Sequence, residues 1–170
     1  FDFDCSTVID LGAGTCTYDR PVICFDGTNY GNVHVVGNLQ HLPVSENSID
    51  GIISVAVLEH VPNPIQHVAE MFRVLRPGGR VLCFVPFIQG YHASPHDYQR
   101  FTISGMKELF KEFEITSVDP VGPTSGFLWV FQEWLALVLS FGSIRLYRII
   151  MPLMWILSPL KILDVVLRHH

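Results

Sequence analysis

Two stretches of the 170-residue chain concentrate side chains able to do chemistry. The first is FIQGYHASPHDYQRFT, residues 87–102, which places His92, His96, Asp97, Tyr98 and Arg100 within nine positions. An imidazole with an ordinary pKa of about 6.5 can accept a hydroxyl proton near neutral pH. His92 or His96 is therefore a candidate general base, with Asp97 to orient it. The alternative is a structural cluster in which Asp97, Tyr98 and Arg100 simply order the loop. A metal site from His92, His96 and Asp97 is disfavoured, because Pro95 breaks any helix that would align the two imidazoles. The second stretch is VIDLGAG, a β-branched run through Asp10 into Gly12, Ala13 and Gly14. Such glycines let a ligand approach the backbone closely. The dinucleotide fingerprint GxGxxG is not completed, since position 17 is Thr17. That disfavours a nicotinamide-dependent oxidoreductase.

These residues need elements to hold them. Short apolar runs recur at Thr7–Leu11, Val22–Phe25, Val33–Val36, Gly51–Val57, Arg80–Val85 and Glu114–Val118. Uninterrupted apolar strands of this length suit a parallel sheet buried on both faces. A helix is expected where Ile65, Val68, Ala69, Phe72 and Leu75 recur, opened by Asn63-Pro64 and closed by Pro77-Gly78. A second is expected over Ser104–Phe113, with Ser104 as its N-cap. Alternation of strands and helices predicts an α/β, Rossmann-like, doubly wound and mostly parallel sheet. The seven residues Thr15–Pro21 are short for a crossover, so the first helix should shrink to about a turn.

Four stretches, Val8–Gly14, Gly37–Pro43, Ser48–Val61 and Arg73–Leu82, stand in an order and spacing that resembles the class I S-adenosylmethionine-dependent methyltransferases, specifically the type 11 methyltransferase domain. The resemblance covers roughly residues 5–119. It implies S-adenosylmethionine as cofactor, bound by Asp10, Gly12, Ala13, Gly14, Asp26, Asn38, Leu39 and Val55. Asp10 would orient the methionine portion, and Gly12 and Gly14 would give it room. Asp26 would accept from both ribose hydroxyls. Asn38 and the Leu39 backbone would read the adenine edge, while Val55 would line the methionine side. Asp26 as a plain turn residue and Asn38 as a turn cap remain alternatives. Glu59 and His60 either face the substrate or sit at a helix start. The chain departs from the family pattern at Cys16, where a third glycine is usual, and at Asn38, where Asp is common. The implied activity is methyl transfer to a small-molecule or lipid-linked acceptor, with oxygen expected. The alternative is a non-catalytic methyltransferase-like module serving as a membrane-attached scaffold.

Charge divides the chain. It has 16 acidic and 11 basic residues, yet residues 134–170 hold one acid and four bases, with 24 of 37 residues apolar. The acidic balance argues against nucleic acid as a partner, because phosphate contacts need a basic face. Cys5, Cys16, Cys24 and Cys83 form no CxxC pair, so neither a zinc framework nor a disulfide scaffold is expected. Reduced thiols point to the cytoplasm. A domain over residues 1–122 and an apolar helical tail over 123–170 are expected. No apolar stretch reaches 18 uncharged residues, so a transmembrane helix is not expected. Trp129, Trp134 and Trp155 with flanking bases suit a helix lying on the inner face of a membrane. An oligomer interface is the competing use of the same surface.

Overall fold

The computed structural model describes residues 7–119 and 122–167. Cys5, Arg168 and the terminal pair His169-His170 lie outside them. The chain forms two compact units, one of residues 1–87 and 92–115, the other of residues 88–91 and 116–170.

Five strands make the sheet of the first unit: β1 (Val8–Leu11), β2 (Ile23–Asp26), β3 (Val35–Val36), β4 (Ile49–Val55) and β5 (Leu75–Phe84). Their order is β3-β2-β1-β4-β5, and every pairing is parallel. All carboxyl ends therefore lie on one edge. The winding reverses between β1 and β4, and ligands of open α/β sheets bind at such a reversal. The doubly wound parallel reading of the sequence is met. So is the shortened crossover: residues 12–22 contain no helix.

Helix α1 (Pro64–Val74) begins where Pro sits at its first position and the Asn63 side chain accepts from Gln66 N at 3.2 Å. It packs Val68, Met71 and Val74 against Ile9, Leu11, Phe25 and Ile52 of the sheet. Burying one such side chain stabilises the fold by about 1.5–3 kcal/mol. The buried face differs from the apolar repeat in the sequence. Ile65, Ala69 and Phe72 are exposed, whereas His67 and Glu70 are buried. Phe72 instead meets Phe113 edge-on, with ring centroids 5.2 Å apart.

Helix α2 spans Ile103–Leu109 and is capped by Thr102, not Ser104; the Thr102 hydroxyl accepts from Gly105 N at 3.1 Å. Extended backbone at Thr102 frees its hydroxyl for the cap, and Ser104 already lies inside the first turn. Residues 114–118 form no strand, contrary to the sequence pattern. Their apolar residues Ile115 and Val118 are exposed, so no sheet face buries them.

The second unit contains α3 (Pro123–Leu139), α4 (Ile144–Leu153), a 3-10 segment over Met154–Ile162 and α5 (Leu163–Leu167). The Asp164 carboxylate accepts from Thr124 N at 2.6 Å and from Ser125 N at 3.2 Å, closing the start of α3. Gln132 Nε2 donates to the Met154 carbonyl at 2.8 Å. Within the 22-residue helical run Ile144–Val165 an 18-residue window has mean hydropathy 1.5, enough by length and composition to cross a membrane.

The turn after β1 closes onto β2. Gly12 N and Ala13 N both donate to the Phe25 carbonyl, at 2.8 and 3.2 Å. Gly12 adopts φ +81°, and a Cβ there would stand 2.4 Å from Val57 Cγ2. The left-handed backbone costs Ala about 1–2 kcal/mol, and crowding of this kind adds about 1–3 kcal/mol. Gly12→Ala is expected to lower stability by about 2–5 kcal/mol in urea unfolding; a variant as stable as the parent would contradict this packing.

Candidate functional site

The segments that follow the five strands share the carboxyl edge, and most residues singled out in the sequence lie there. Leu11 pairs with Phe25 across β1 and β2, so Gly12 and Asp26 leave their strands side by side. Asp26 Oδ2 accepts from Gly14 N and its Oδ1 from Thr28 N, both at 2.9 Å. An ionised carboxylate has roughly four acceptor positions. Two are used by backbone, which leaves capacity for two hydroxyls of a ligand. A Cβ on Gly14 would meet no atom within 4 Å, whereas Gly12 is closed off by Val57. The turn is thus packed on one side and open on the other. Ala13 is buried, and Val55 is half exposed at the end of β4.

Asp10 is buried directly beneath this turn. Its Oδ2 accepts from the Tyr18 hydroxyl at 2.6 Å, a partner that sequence spacing did not suggest. Burial pushes the Asp10 carboxyl up, the Tyr18 bond opposes that, and the Asp26 charge adds to it. The Tyr18 phenol is raised in turn by its own burial and by Asp10.

Asn38 does cap a turn, its Oδ1 accepting from Gln40 N at 2.9 Å. It also lines a recess of about 180 Å³ with Gly37, Leu39, His60 and Val61. A Cβ on Gly37 would stand 2.8 Å from Phe25 Cζ, so this loop needs glycine to rest on the core. Three α1 residues tie the loop down. The His67 ring bonds through Nδ1 to the Leu39 carbonyl at 2.6 Å. Glu70 accepts from Leu42 N at 2.8 Å. Arg73 donates to Glu70 and to the carbonyls of Val44 (2.8 Å) and Leu42 (3.0 Å). The guanidinium of Arg73 holds the Glu70 carboxyl below its usual range. These three positioning residues were missed because they interrupt an apolar helix face; their only sequence signal was the polar spacing His67, Glu70, Arg73.

The loop after β5 is anchored beside the 3-10 turn Leu58–His60. Tyr98 N donates to the Glu59 carbonyl at 2.8 Å, and Gln99 Nε2 to the carbonyls of Leu58 (3.2 Å) and Val61 (3.1 Å). Within it, Asp97 forms a bidentate pair with Arg100 and accepts from His92 N at 2.9 Å. Arg100 holds the Asp97 carboxyl well below the usual carboxylate range. The His92 ring stands 3.6 Å from Asp97, too far for a hydrogen bond. Its Nε2 lies 3.6 Å from the buried Glu59 carboxylate, with His60 Nε2 at 3.7 Å from the same oxygen. The loop therefore brings His92 to Glu59 and His60, while the His96 ring leans on Tyr98, with centroids 5.5 Å apart.

His67 provides a pH test of the recess. It is buried, and burial lowers its pKa from the ordinary 6.5. Above pH 6.5 it is neutral in both states and its stabilisation is complete. As pH falls below 6.5, the unfolded chain protonates first and stability declines towards the lowered folded value. Thermal melting between pH 7 and pH 5 should show this decline, and His67→Phe should flatten it; equal slopes would refute the assignment.

Residues 9–83 match the family model described as a methyltransferase domain. A Mycolicibacterium smegmatis protein named "Probable S-adenosylmethionine-dependent methyltransferase" is 39% identical over 70 residues, covering 41% of this chain and 27% of the relative. The demethylmenaquinone methyltransferase of Oceanobacillus iheyensis is 34% identical over 86 residues, covering 46% and 36%. The chain thus spans about a quarter to a third of the length of these relatives. Among solved structures, an S-adenosylmethionine-dependent methyltransferase from Mesorhizobium loti superposes with TM-score 0.53 at 15% identity, over 72% of this chain and 81% of that one. The YcgJ protein of Bacillus subtilis gives 0.53 at 19% identity, over 73% and 71%. At these identities the superpositions establish the fold. Parallel β3-β2-β1-β4-β5 order, a glycine turn beside an acidic β2 terminus and the matched sequence agree: residues 9–83 are similar to the methyltransferase domain, and the cofactor that this similarity implies is S-adenosylmethionine.

Proposed function

We propose that the chain binds S-adenosylmethionine at the carboxyl edge of its sheet and directs the methyl group to a small-molecule or lipid-linked acceptor, at oxygen. The observation that supports this most is the meeting of Asp26, the open side of Gly14 and the Asn38–Leu39 turn on one edge. When bound, the cofactor supplies an electrophilic sulfonium methyl carbon. Asp26 takes the ribose hydroxyls on its remaining lone pairs. Asn38 and the Leu39 backbone take the adenine edge, in the loop that His67, Glu70 and Arg73 hold against α1. Asp10, locked by Tyr18, sets the shape of the turn from below, and Val55 lines the methionine side. His92 or His96 is the group proposed to draw the proton from an acceptor hydroxyl. Asp97 orders their loop through Arg100 and the His92 amide. A lipid-linked acceptor agrees with the relatives named for demethylmenaquinone.

Calorimetry with S-adenosylmethionine and its demethylated product is expected to show one site. Asp26→Asn should weaken it on the order of 10- to 100-fold, the worth of one charged hydrogen bond. His96→Ala should leave that affinity intact while lowering turnover in a radiolabelled acceptor screen. No binding of either ligand at millimolar concentration would overturn the reading.

Residues 123–170 are proposed to form a unit that rests on the cytoplasmic face of a membrane, and residues 1–122 a methyltransferase domain. Support comes from the apolar side chains it leaves exposed: Phe141 is 90% exposed, Ile156 80% and Trp155 66%. Arg145, Arg148 and Lys161 lie among them to meet anionic headgroups. The chain is expected to pellet with anionic liposomes, and Trp155→Glu with Ile156→Glu should move it to the supernatant. A parent that stays soluble but dimerises in ultracentrifugation would instead make this surface an interface between copies.

A further inference from the structure

The Glu59 side chain is wholly buried, and neither of its carboxylate oxygens has a hydrogen-bond partner. A buried carboxylate without partners is costly, and natural structures answer that cost with a paired charge or a metal ion. Two imidazoles face it. His60 Nε2 and His92 Nε2 stand 3.7 and 3.6 Å from the same oxygen, Oε1. These separations exceed hydrogen-bond range. All three donor atoms lie within 4.8 Å of one another. Ligands about 2.0–2.1 Å from a tetrahedral ion stand roughly 3.3–3.5 Å apart, close to the two imidazole–carboxylate separations.

We propose that Glu59, His60 and His92 form a binding site for a divalent transition-metal ion of the zinc class. Two imidazoles and one carboxylate favour such an ion over magnesium, which prefers oxygen ligands. An outer group already orients His60 as metal sites require. His60 Nδ1 is 2.6 Å from the His96 carbonyl and donates its proton there, which turns the Nε2 lone pair towards Glu59. Ligation through His92 Nε2 puts that ring's proton on Nδ1, where Asp97 Oδ2 waits at 3.6 Å. Without an ion, Arg100 Nη2 donates to that Nδ1 at 3.2 Å, so ligation moves the ring proton from Nε2 to Nδ1 and releases this bond, while Arg100 keeps its 2.7 Å bond to Asp97. Three protein ligands leave an open position for water or an oxygen-bearing molecule. His60 also lines the recess beside Asn38, so that open position and the recess share a wall. Ligation occupies His92 and leaves His96 as the proton acceptor of the loop. The ion-binding proposal stands on this geometry and is independent of the methyl-transfer reading.

The test uses the full chain with His169 and His170 changed to Ala, so that terminal imidazoles do not bind metal. After chelator treatment, it is titrated with Co2+, read by visible absorption, and with Zn2+, read by calorimetry. One ion per chain is expected, with a rise in melting temperature. Glu59→Gln, His60→Ala and His92→Ala should each weaken binding on the order of 100-fold or more, while His96→Ala should not. Circular dichroism checks that each variant is folded. Should Glu59→Gln not fold, His92→Ala, in the loop, decides the matter. No binding at millimolar Co2+ or Zn2+, or undiminished binding in folded His92→Ala, would overturn the site. Loss of cofactor binding with metal binding retained would overturn only the methyl-transfer reading.

Discussion

The first unit is organised by one backbone carbonyl. Phe25 O receives the amides of Gly12 and Ala13, and so folds the end of β1 over the end of β2 without a helix between them. In longer crossovers a helix sets the spacing of two parallel strands. Here the turn does it directly, and everything beyond depends on that closure. It aims Gly14 N at Asp26, leaves the far side of Gly14 open, and sets Asp10 under the turn where Tyr18 can reach it. The Phe25 ring continues the same arrangement on the other side, since Gly37 rests on it.

Buried acids near the edge are settled in three different ways. Asp10 receives a neutral hydroxyl, which limits but does not cancel the upward pressure of burial. Glu70 receives a guanidinium and a backbone amide, and its carboxyl stays readily ionised. Glu59 has two imidazoles at a distance and no hydrogen bond. The first two fix loops in place. The third lies on the 3-10 turn and faces the histidine loop, at a separation that an ion can fill.

The sheet and its edge were legible in the sequence because apolar runs and glycine turns are local signals. Val8–Leu11, the turn to Gly14, Asp26 and Asn38 all stand where their spacing put them. Helix α1 was found in position, but its inner face was misjudged. Periodicity weighs apolar residues, and it favoured Ile65 and Phe72 over the buried His67 and Glu70. Those two are inside because loop carbonyls and amides of residues 39–44 need partners, a demand set by the fold rather than by α1 itself. The apolar run 114–118 failed for the opposite reason: apolar character alone does not supply a neighbouring strand. Glu59, His60 and His92 could not be grouped from sequence, since more than 30 positions separate the 3-10 turn from His92.

The Asp164 bond to the start of α3 carries a consequence for synthesis. Its partners Thr124 and Ser125 precede it by 40 and 39 positions. A ribosome adding about 5–20 residues per second needs roughly 2–8 s to cover that interval. Throughout it, the first amides of α3 exist without their cap, and the apolar residues that follow have no Met154–Ile162 segment to pack against. The start of α3 therefore gains its cap late. Whatever meets α3 first during translation, chaperone or lipid, encounters an uncapped apolar helix and not the finished surface.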